Sequence, residues 1–248
     1  MSDAVPLLEI EGLSKRFGGV HALERVSMRL YAGEVLAIAG DNGAGKSTLI
    51  KAISGVHRGD EGEIRLSGKP VRFESPTDAR AQGIETIYQD LALADNLSIG
   101  ANIFLGREPK RRLFGILPVL DRPRMAAAAR ETMALLDFHV DRLDAPVAAF
   151  SGGQRQAMAI GRAIFWNAKI LIMDEPTAAL GVPEQRKVVA LIRKLKEQGK
   201  GVIFISHNLA DIFAVADRIM VMRRGVNVGE RATGETNSDE IVKLMVGG

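Results

Sequence analysis

Eight consecutive residues, Gly40-Asp41-Asn42-Gly43-Ala44-Gly45-Lys46-Ser47, restrict this chain to few folds. They match G-x-x-x-x-G-K-[ST] and follow directly on the apolar run Val35-Leu36-Ala37-Ile38-Ala39. After them, Ser47-Thr48-Leu49-Ile50-Lys51-Ala52-Ile53 can open a helix. A short continuous apolar run suits a strand buried on both faces of a parallel sheet. Glycines let backbone amides turn inward and touch phosphate oxygens with no Cβ in the way. The helix amino terminus adds unpaired donors and a favourable dipole. In that setting Lys46 neutralises β- and γ-phosphates and the Ser47 hydroxyl binds Mg²⁺. A chance match is expected in roughly one chain in a hundred of this length. The strand and helix on either side lower that risk further.

Two more apolar runs, residues 170–173 and 202–205, end in polar residues, Asp174-Glu175 and Ser206-His207. Ligands of open α/β sheets bind at the carboxyl ends of strands, so three polar clusters at three such ends form one site. Asp174 is placed to hold Mg²⁺ through water, and Glu175 to polarise an attacking water as general base. Residues 7–13, 26–30 and 63–66 carry β-type patterns, punctuated by Gly33 and by Gly59-Asp60-Glu61-Gly62. Residues from about 90 to 165 look mostly helical, most clearly the Ala-rich stretch 124–136. They read as a helical subdomain inserted into a single domain spanning 1–248. Pro183 near its start and Gly199 past its end mark a helix over 183–198. Ser238 is the expected cap of a last helix reaching Met245.

Ser151-Gly152-Gly153-Gln154 reads in two ways. Ser-x-x-Gln is a capping box and can simply start a helix toward Asn167. A Ser-capped, Gly-rich helix start also exposes amide donors with little steric cover, which makes an anion site. The first reading accounts for Ser151 and Gln154 but leaves two successive glycines, which weaken a helix start, unexplained. The rest of the composition narrows the function classes. The chain has no cysteine, which excludes disulfides, thiolate zinc sites and thiol catalysis. Its net charge of +3 comes from interleaved acids and bases and is no nucleic-acid footprint. Lys110-Arg111-Arg112, the one basic run, reads as a solvated surface loop. The amino terminus has no signal-peptide pattern, and no apolar run approaches the roughly 20 residues of a membrane span. A soluble chain, reaching a membrane only through a partner, is expected.

Taken together, the phosphate loop, Gln89, Ser151 to Gln154, Asp174-Glu175 and His207 resemble, in order and approximate spacing, the ATP-binding cassette (ABC) ATPases. The resemblance covers nearly the whole chain. It implies an α/β P-loop core with a mixed sheet, an antiparallel N-terminal β subdomain and an inserted helical subdomain. It implies that Gln89, after the strand-like residues 83–88, touches Mg²⁺ and the attacking water. His207 is implied to contact the γ-phosphate and help orient Glu175. Phe17, in Lys15-Arg16-Phe17-Gly18-Gly19, matches the aromatic that stacks on adenine. ATP would lie on residues Gly40 to Thr48 of one copy and be covered by Ser151, Gly152, Gly153 and Gln154 of a second, giving a homodimer that closes on ATP and opens after hydrolysis. One departure stands out: the family commonly has an Asp shortly after Thr177-Ala178-Ala179, where this chain has Leu180-Gly181.

Gln89-Asp90-Leu91-Ala92-Leu93 and Asn102-Ile103-Phe104-Leu105-Gly106-Arg107-Glu108-Pro109 resemble the monosaccharide branch of carbohydrate importers. That branch implies docking on two membrane permease subunits at the cytoplasmic face, a periplasmic sugar-binding protein acting indirectly, and no nucleic-acid partner. Three alternatives stay open: a cassette ATPase working on nucleic acid or the ribosome, an importer ATPase for another solute, and a non-hydrolysing ATP-dependent module.

Overall fold

The computed structural model describes residues 5–114, 116–136, 142–178 and 180–247. The chain begins with strands β1 (Leu8–Phe17), β2 (Val20–Leu30) and β3 (Val35–Ala39), then helix α1 (Lys46–Ile53). Next come β4 (Glu61–Leu66), β5 (Lys69–Val71), α2 (Pro76–Ala81), β6 (Ile84–Ile87) and α3 (Ile99–Ile103). A hairpin of β7 (Lys110–Leu113) and β8 (Leu117–Leu120) precedes α4 (Arg122–Leu135) and α5 (Gly152–Phe165). The chain continues through β9 (Ile170–Asp174), α6 (Val182–Glu197), β10 (Gly201–Ile205), α7 (Leu209–Val215), β11 (Arg218–Arg223), β12 (Val226–Ala232) and α8 (Ser238–Val246).

The central sheet has the order β12-β11-β3-β10-β9-β6. Its strands run parallel except the edge strand β12. A second, antiparallel sheet of order β2-β1-β4-β5 is built from the N-terminal segment. The chain thus adopts the α/β class with a mixed sheet and an antiparallel N-terminal sheet. The unbroken apolar runs have a direct cause. Val35, Ala37, Ala39, Leu171, Met173, Val202 and Phe204 point into one core, against helices α3 to α8. Their alternates Leu36, Ile38, Ile170, Ile172, Ile203 and Ile205 point into the other, against β1, β2 and α1. Both faces of β3, β9 and β10 are therefore dry, and these strands stay apolar until their ends, whereas the edge strand β6 carries the half-buried Glu85 and Thr86.

Several elements differ from the sequence reading. The stretch 90–165 holds α3, α4 and α5 but also the β7–β8 hairpin, so Lys110, Arg111 and Arg112 form a strand rather than a loop. Helix α4 starts earlier than the Ala run because Asp121 accepts from the Arg124 amide at 3.2 Å and Pro123 suits the first turn. The last helix is capped by Asn237, whose Oδ1 accepts from the Glu240 amide at 3.0 Å; Ser238 is its first residue instead. Strands β11 and β12 were not anticipated, although Ile219 to Met222 is another continuous apolar run buried on both faces.

Candidate active site

Four neighbouring strands, β3, β10, β9 and β6, end in register along one rim of the central sheet. Ile38 lies beside Ile205, Ile205 beside Asp174, and Ile87 beside Met173. The residues just past those ends are the loop from Gly40, then Ser206-His207, Asp174-Glu175, and Tyr88-Gln89. Parallel pairing alone brings together segments separated by more than a hundred residues in the chain.

The loop at residues 40–45 is held from behind by the β11–β12 turn. The Gly225 amide donates to the Ala44 carbonyl at 2.9 Å, and the Glu24 amide of β2 donates to the Gly225 carbonyl at 2.8 Å. Gly45 has φ +101°, and a Cβ there would stand 2.8 Å from the Ala22 carbonyl oxygen and 3.2 Å from Gly225 Cα. Gly43 has φ +81°, yet a Cβ there would meet nothing within 4 Å. One glycine is required by what lies behind the loop; the other leaves its outer side open. Asp41, Asn42, Gly43 and Ser47 are exposed, whereas Ala44 is buried and Thr48 half-buried. Lys46 folds back on the loop, donating to the carbonyls of Gly40 at 2.6 Å and Asp41 at 3.0 Å. Burial lowers the Lys46 ammonium pKa, and Glu175, Asp174 and Asp41 oppose that shift. A phosphate arriving in the loop offers the ammonium a better partner than two carbonyls.

The Asp174 carboxylate has no hydrogen-bond or ion-pair partner among the described residues. Burial raises its pKa, the neighbouring Glu175 raises it further, and Lys46 and Lys51 act in the opposite sense. Glu175 has φ +51°, a left-handed backbone that costs a non-glycine residue about 1–3 kcal/mol. Its amide donates to the Ile205 carbonyl of β10 at 2.9 Å, which fixes the turn. His207 Nδ1 stands 2.9 Å from Glu175 Oε2; the histidine side chain is 70% exposed and the glutamate 14%. Oε2 is buried, and His207 is its one close side-chain neighbour recorded among the described residues. The result is a strained, mostly buried carboxylate with the mostly exposed His207 at its solvent side. Among the described residues no cluster of three or more acids or histidines is placed to hold a metal alone. The donors at hand, a hydroxyl and a lone carboxylate beside a phosphate loop, fit Mg²⁺, which is commonly bound by one or two carboxylates plus substrate phosphates.

Gln89 is exposed and lines, with Glu175 and Gly152, a cavity of 260 Å³. The segment after it is tied to α5: the Arg162 guanidinium donates to the carbonyls of Ala92 at 3.0 Å and Leu91 at 3.4 Å. At the start of α5 the capping box is complete, with Ser151 N to Gln154 Oε1 at 2.9 Å and Gln154 N to Ser151 Oγ at 3.3 Å. Gly153 has a packing reason: a Cβ there would lie 2.5 Å from Glu184 Cγ on α6. Glu184 also reaches toward Gly181, the first-turn cap of α6, where a Cβ would sit 2.9 Å from its Oε2. The loop before Gly181 contains no aspartate of its own and is held from outside. Gln185 Nε2 donates to the Thr177 and Leu180 carbonyls at 3.3 and 3.1 Å, and Thr177 Oγ1 donates to Asp211 Oδ2 at 2.7 Å.

Phe17 is 44% exposed, and its ring meets His57 edge-on at 5.1 Å with Lys15 Nζ 5.6 Å from its centroid. It is not a core residue. It pairs with Val20, two residues along β2 from Ala22, whose carbonyl lies behind Gly45. Arg162, Glu184, Gln185, Asp211 and Gly225 escaped the sequence reading. Only Gly225, after a four-residue apolar run, carried a local signal, that of a turn between strands.

The chain matches the family model for ABC transporters over residues 23–178. It is 49% identical over 245 residues to a xylose/arabinose import ATP-binding protein of Sulfolobus acidocaldarius, covering 99% of this chain and 94% of that one. It is 50% identical over 225 residues to a fructose import ATP-binding protein of Rhizobium meliloti, covering 89% and 86%. A ribose import ATP-binding protein of Rubrobacter xylanophilus is 47% identical over 242 residues; the match covers 98% of this chain but 47% of that protein, so the chain spans about half its length. Among solved structures, the ADP conformation of MJ1267, an ATP-binding cassette of an ABC transporter, superposes with a TM-score of 0.83 at 27% identity, covering 98% of this chain and 99% of that one. A dimeric post-hydrolysis state of the cassette MJ0796 bound to ADP and Pi gives 0.76 at 25% identity, covering 91% and 98%.

Proposed function

Because the chain belongs to the ABC transporter family, we propose that it is the ATP-hydrolysing subunit that drives a monosaccharide through a membrane permease. The observation that carries this reading is the alignment of the phosphate loop, Asp174-Glu175, His207 and Gln89 on four adjacent strand ends. Relatives named for xylose/arabinose, fructose and ribose import support a monosaccharide as the solute.

The chemistry follows from the side chains. Residues Gly40 to Thr48 bind the phosphates through backbone amides, and Lys46 exchanges its two carbonyl partners for phosphate oxygens. Phe17 offers an exposed ring to the adenine, with little discrimination between purines. Ser47 and Asp174, with Gln89, would hold Mg²⁺, which when bound supplies charge neutralisation at the β- and γ-phosphates. Glu175 Oε2 takes a proton from water as the water oxygen attacks the γ-phosphorus. The bond to the bridging oxygen breaks, and ADP and phosphate leave. His207, mostly exposed, orients Glu175 from the solvent side. Ser151 to Gln154 of a second copy cover the γ-phosphate, so ATP acts as a clamp between two chains and its hydrolysis releases it. The pair docks on two permease subunits at the inner membrane face.

Steady-state phosphate release by the purified chain with ATP and Mg²⁺, abolished in Lys46→Ala, tests the ATPase. Vesicles carrying the chain with its permease, assayed for ATP-dependent uptake of xylose, fructose and ribose, test the transport role. Absence of phosphate release both alone and with the permease overturns the reading.

A further inference from the structure

We infer that the β7–β8 hairpin is a second, direct contact with the membrane: an apolar tip that enters the headgroup layer of an anionic bilayer, backed by a cationic collar. The two strands form a sheet of their own. Near the tip, Phe114 is 88% and Ile116 82% exposed, with Leu117 and Leu113 also open to solvent. None of the four belongs to either core. An exposed cluster of this kind is a contact surface more often than an accident.

The order of residues along the hairpin selects the partner. Leu113 pairs with Leu117 next to the tip; behind them come Arg112 opposite Pro118, Arg111 opposite Val119, and Lys110 opposite Leu120. Strand alternation puts Arg111 on one face of the hairpin and Lys110 and Arg112 on the other. One face carries Leu113, Leu117, Arg111 and Val119 and the other Lys110, Arg112, Pro118 and Leu120; on both, the cations lie behind the exposed apolar residues Phe114 and Ile116. A protein groove distinguishes the faces of a ribbon, whereas a lipid interface distinguishes depth. At about 3.3 Å per residue the charges sit roughly 3–10 Å behind Leu113, close to the ~5–10 Å that interfacial segments bury. Arg111 and Arg112 have no ion-pair partner among the described residues. Arg122 and Arg124 follow at the base, where two acids also lie: Asp121, engaged as the cap of α4, and Glu108. Lys110 lies near Glu108, whose carboxyl pKa is lowered mainly by backbone hydrogen bonds and less by that lysine. The uncompensated charge is positive, which fits anionic phospholipid headgroups.

The test is flotation of the purified full-length chain with two kinds of vesicle, phosphatidylglycerol mixed with phosphatidylcholine and phosphatidylcholine alone. Binding to the anionic vesicles, weakened by salt, is expected. Arg111→Glu with Arg112→Glu lowers partition at least ~25-fold, from about fivefold per cationic side chain near the surface. Phe114→Ser with Ile116→Ser also lowers it. Both double variants keep wild-type ATP hydrolysis in solution, since the hairpin lies outside the nucleotide site; this separates failure here from failure of the ATPase reading. Equal partition onto both vesicles, no partition, or variants that still partition like the parent overturn the proposal. So does self-association in size exclusion that Phe114→Ser with Ile116→Ser abolishes, which would make the tip a docking surface for protein.

Discussion

Gly43 and Gly45 lie two residues apart with positive φ, and the same substitution should do opposite things at them. At Gly43, alanine meets nothing within 4 Å. It bears only the left-handed penalty of about 1–2 kcal/mol, part of it offset by ~0.4–1 kcal/mol of lost freedom in the unfolded chain. A net loss of about 1 kcal/mol is expected. At Gly45, the methyl lies 2.8 Å from the Ala22 carbonyl, 3.2 Å from Gly225 Cα and 3.2 Å from Leu23 Cδ2. Two of these are backbone atoms held by the β11–β12 turn, so an overpacking cost of ~1–3 kcal/mol adds to the strain, for about 3 kcal/mol in all. At ~2–4 °C per kcal/mol for a domain of this size, thermal melts of the nucleotide-free chain should fall by about 2–4 °C for Gly43→Ala and about 6–12 °C for Gly45→Ala. Calorimetric titration with ATP reverses the ranking of interest. Gly43→Ala, nearly as stable as wild type, should lose at least tenfold in affinity, because its methyl stands on the open side where phosphate oxygens approach the amides. Equal melting losses, or a Gly43→Ala chain with unchanged ATP affinity, would refute this assignment of the two sides of the loop.

Glu175→Gln should slow phosphate release by ~10²–10⁴-fold while ATP still binds, and size exclusion with ATP should show a dimer; a monomer under those conditions argues against the shared site. Asp174→Asn should raise the melting temperature of the nucleotide-free chain and abolish Mg²⁺-dependent hydrolysis. The sign follows from the raised folded-state pKa: the folded chain holds the proton more tightly than the unfolded one, so the ionised Asp174 weakens folding above that pKa. The advantage of the variant should shrink as pH falls through it; a melting temperature that drops on substitution contradicts the reasoning. Gly153→Ala should destabilise by ~1–2 kcal/mol through Glu184 Cγ, and Glu184→Ala should relieve most of that loss in a double-mutant cycle; additive losses would place the clash elsewhere.

Much of this was legible in the sequence because it rests on local rules. A strand buried on both faces must be apolar throughout, so three of the parallel strands and the polar residues that end them stood out without any tertiary information. The phosphate loop was legible for a similar reason, since positive φ at Gly43 and Gly45 leaves few alternatives to glycine. The illegible part depends on contacts distant in sequence. Arg162 is an ordinary helix residue until Leu91 and Ala92 arrive beneath it. Glu184 explains Gly153 only once α6 lies against α5. The hairpin at 110–120 was misread because its strands earn no burial: a basic run looks like a solvated loop unless its partner strand is known.

The tetrapeptide at the start of α5 illustrates how a structural reason and a chemical one share residues. The capping box accounts for Ser151 and Gln154, and Glu184 accounts for Gly153, so packing within one copy explains three of the four. Gly152 is left, and it faces the cavity shared with Gln89 and Glu175. Packing therefore does not compete with the proposed anion site; it would orient it. The box satisfies the Ser151 and Gln154 amides, and the close approach of α6 fixes the helix axis. What remains at the helix start is the unpaired amides of its first turn beside a residue without a side chain. A substitution that keeps the box and the α6 contact but adds a side chain, Gly152→Val, should leave folding nearly intact and still remove ATP hydrolysis. Unfolding of that variant would show instead that the glycine serves the helix alone.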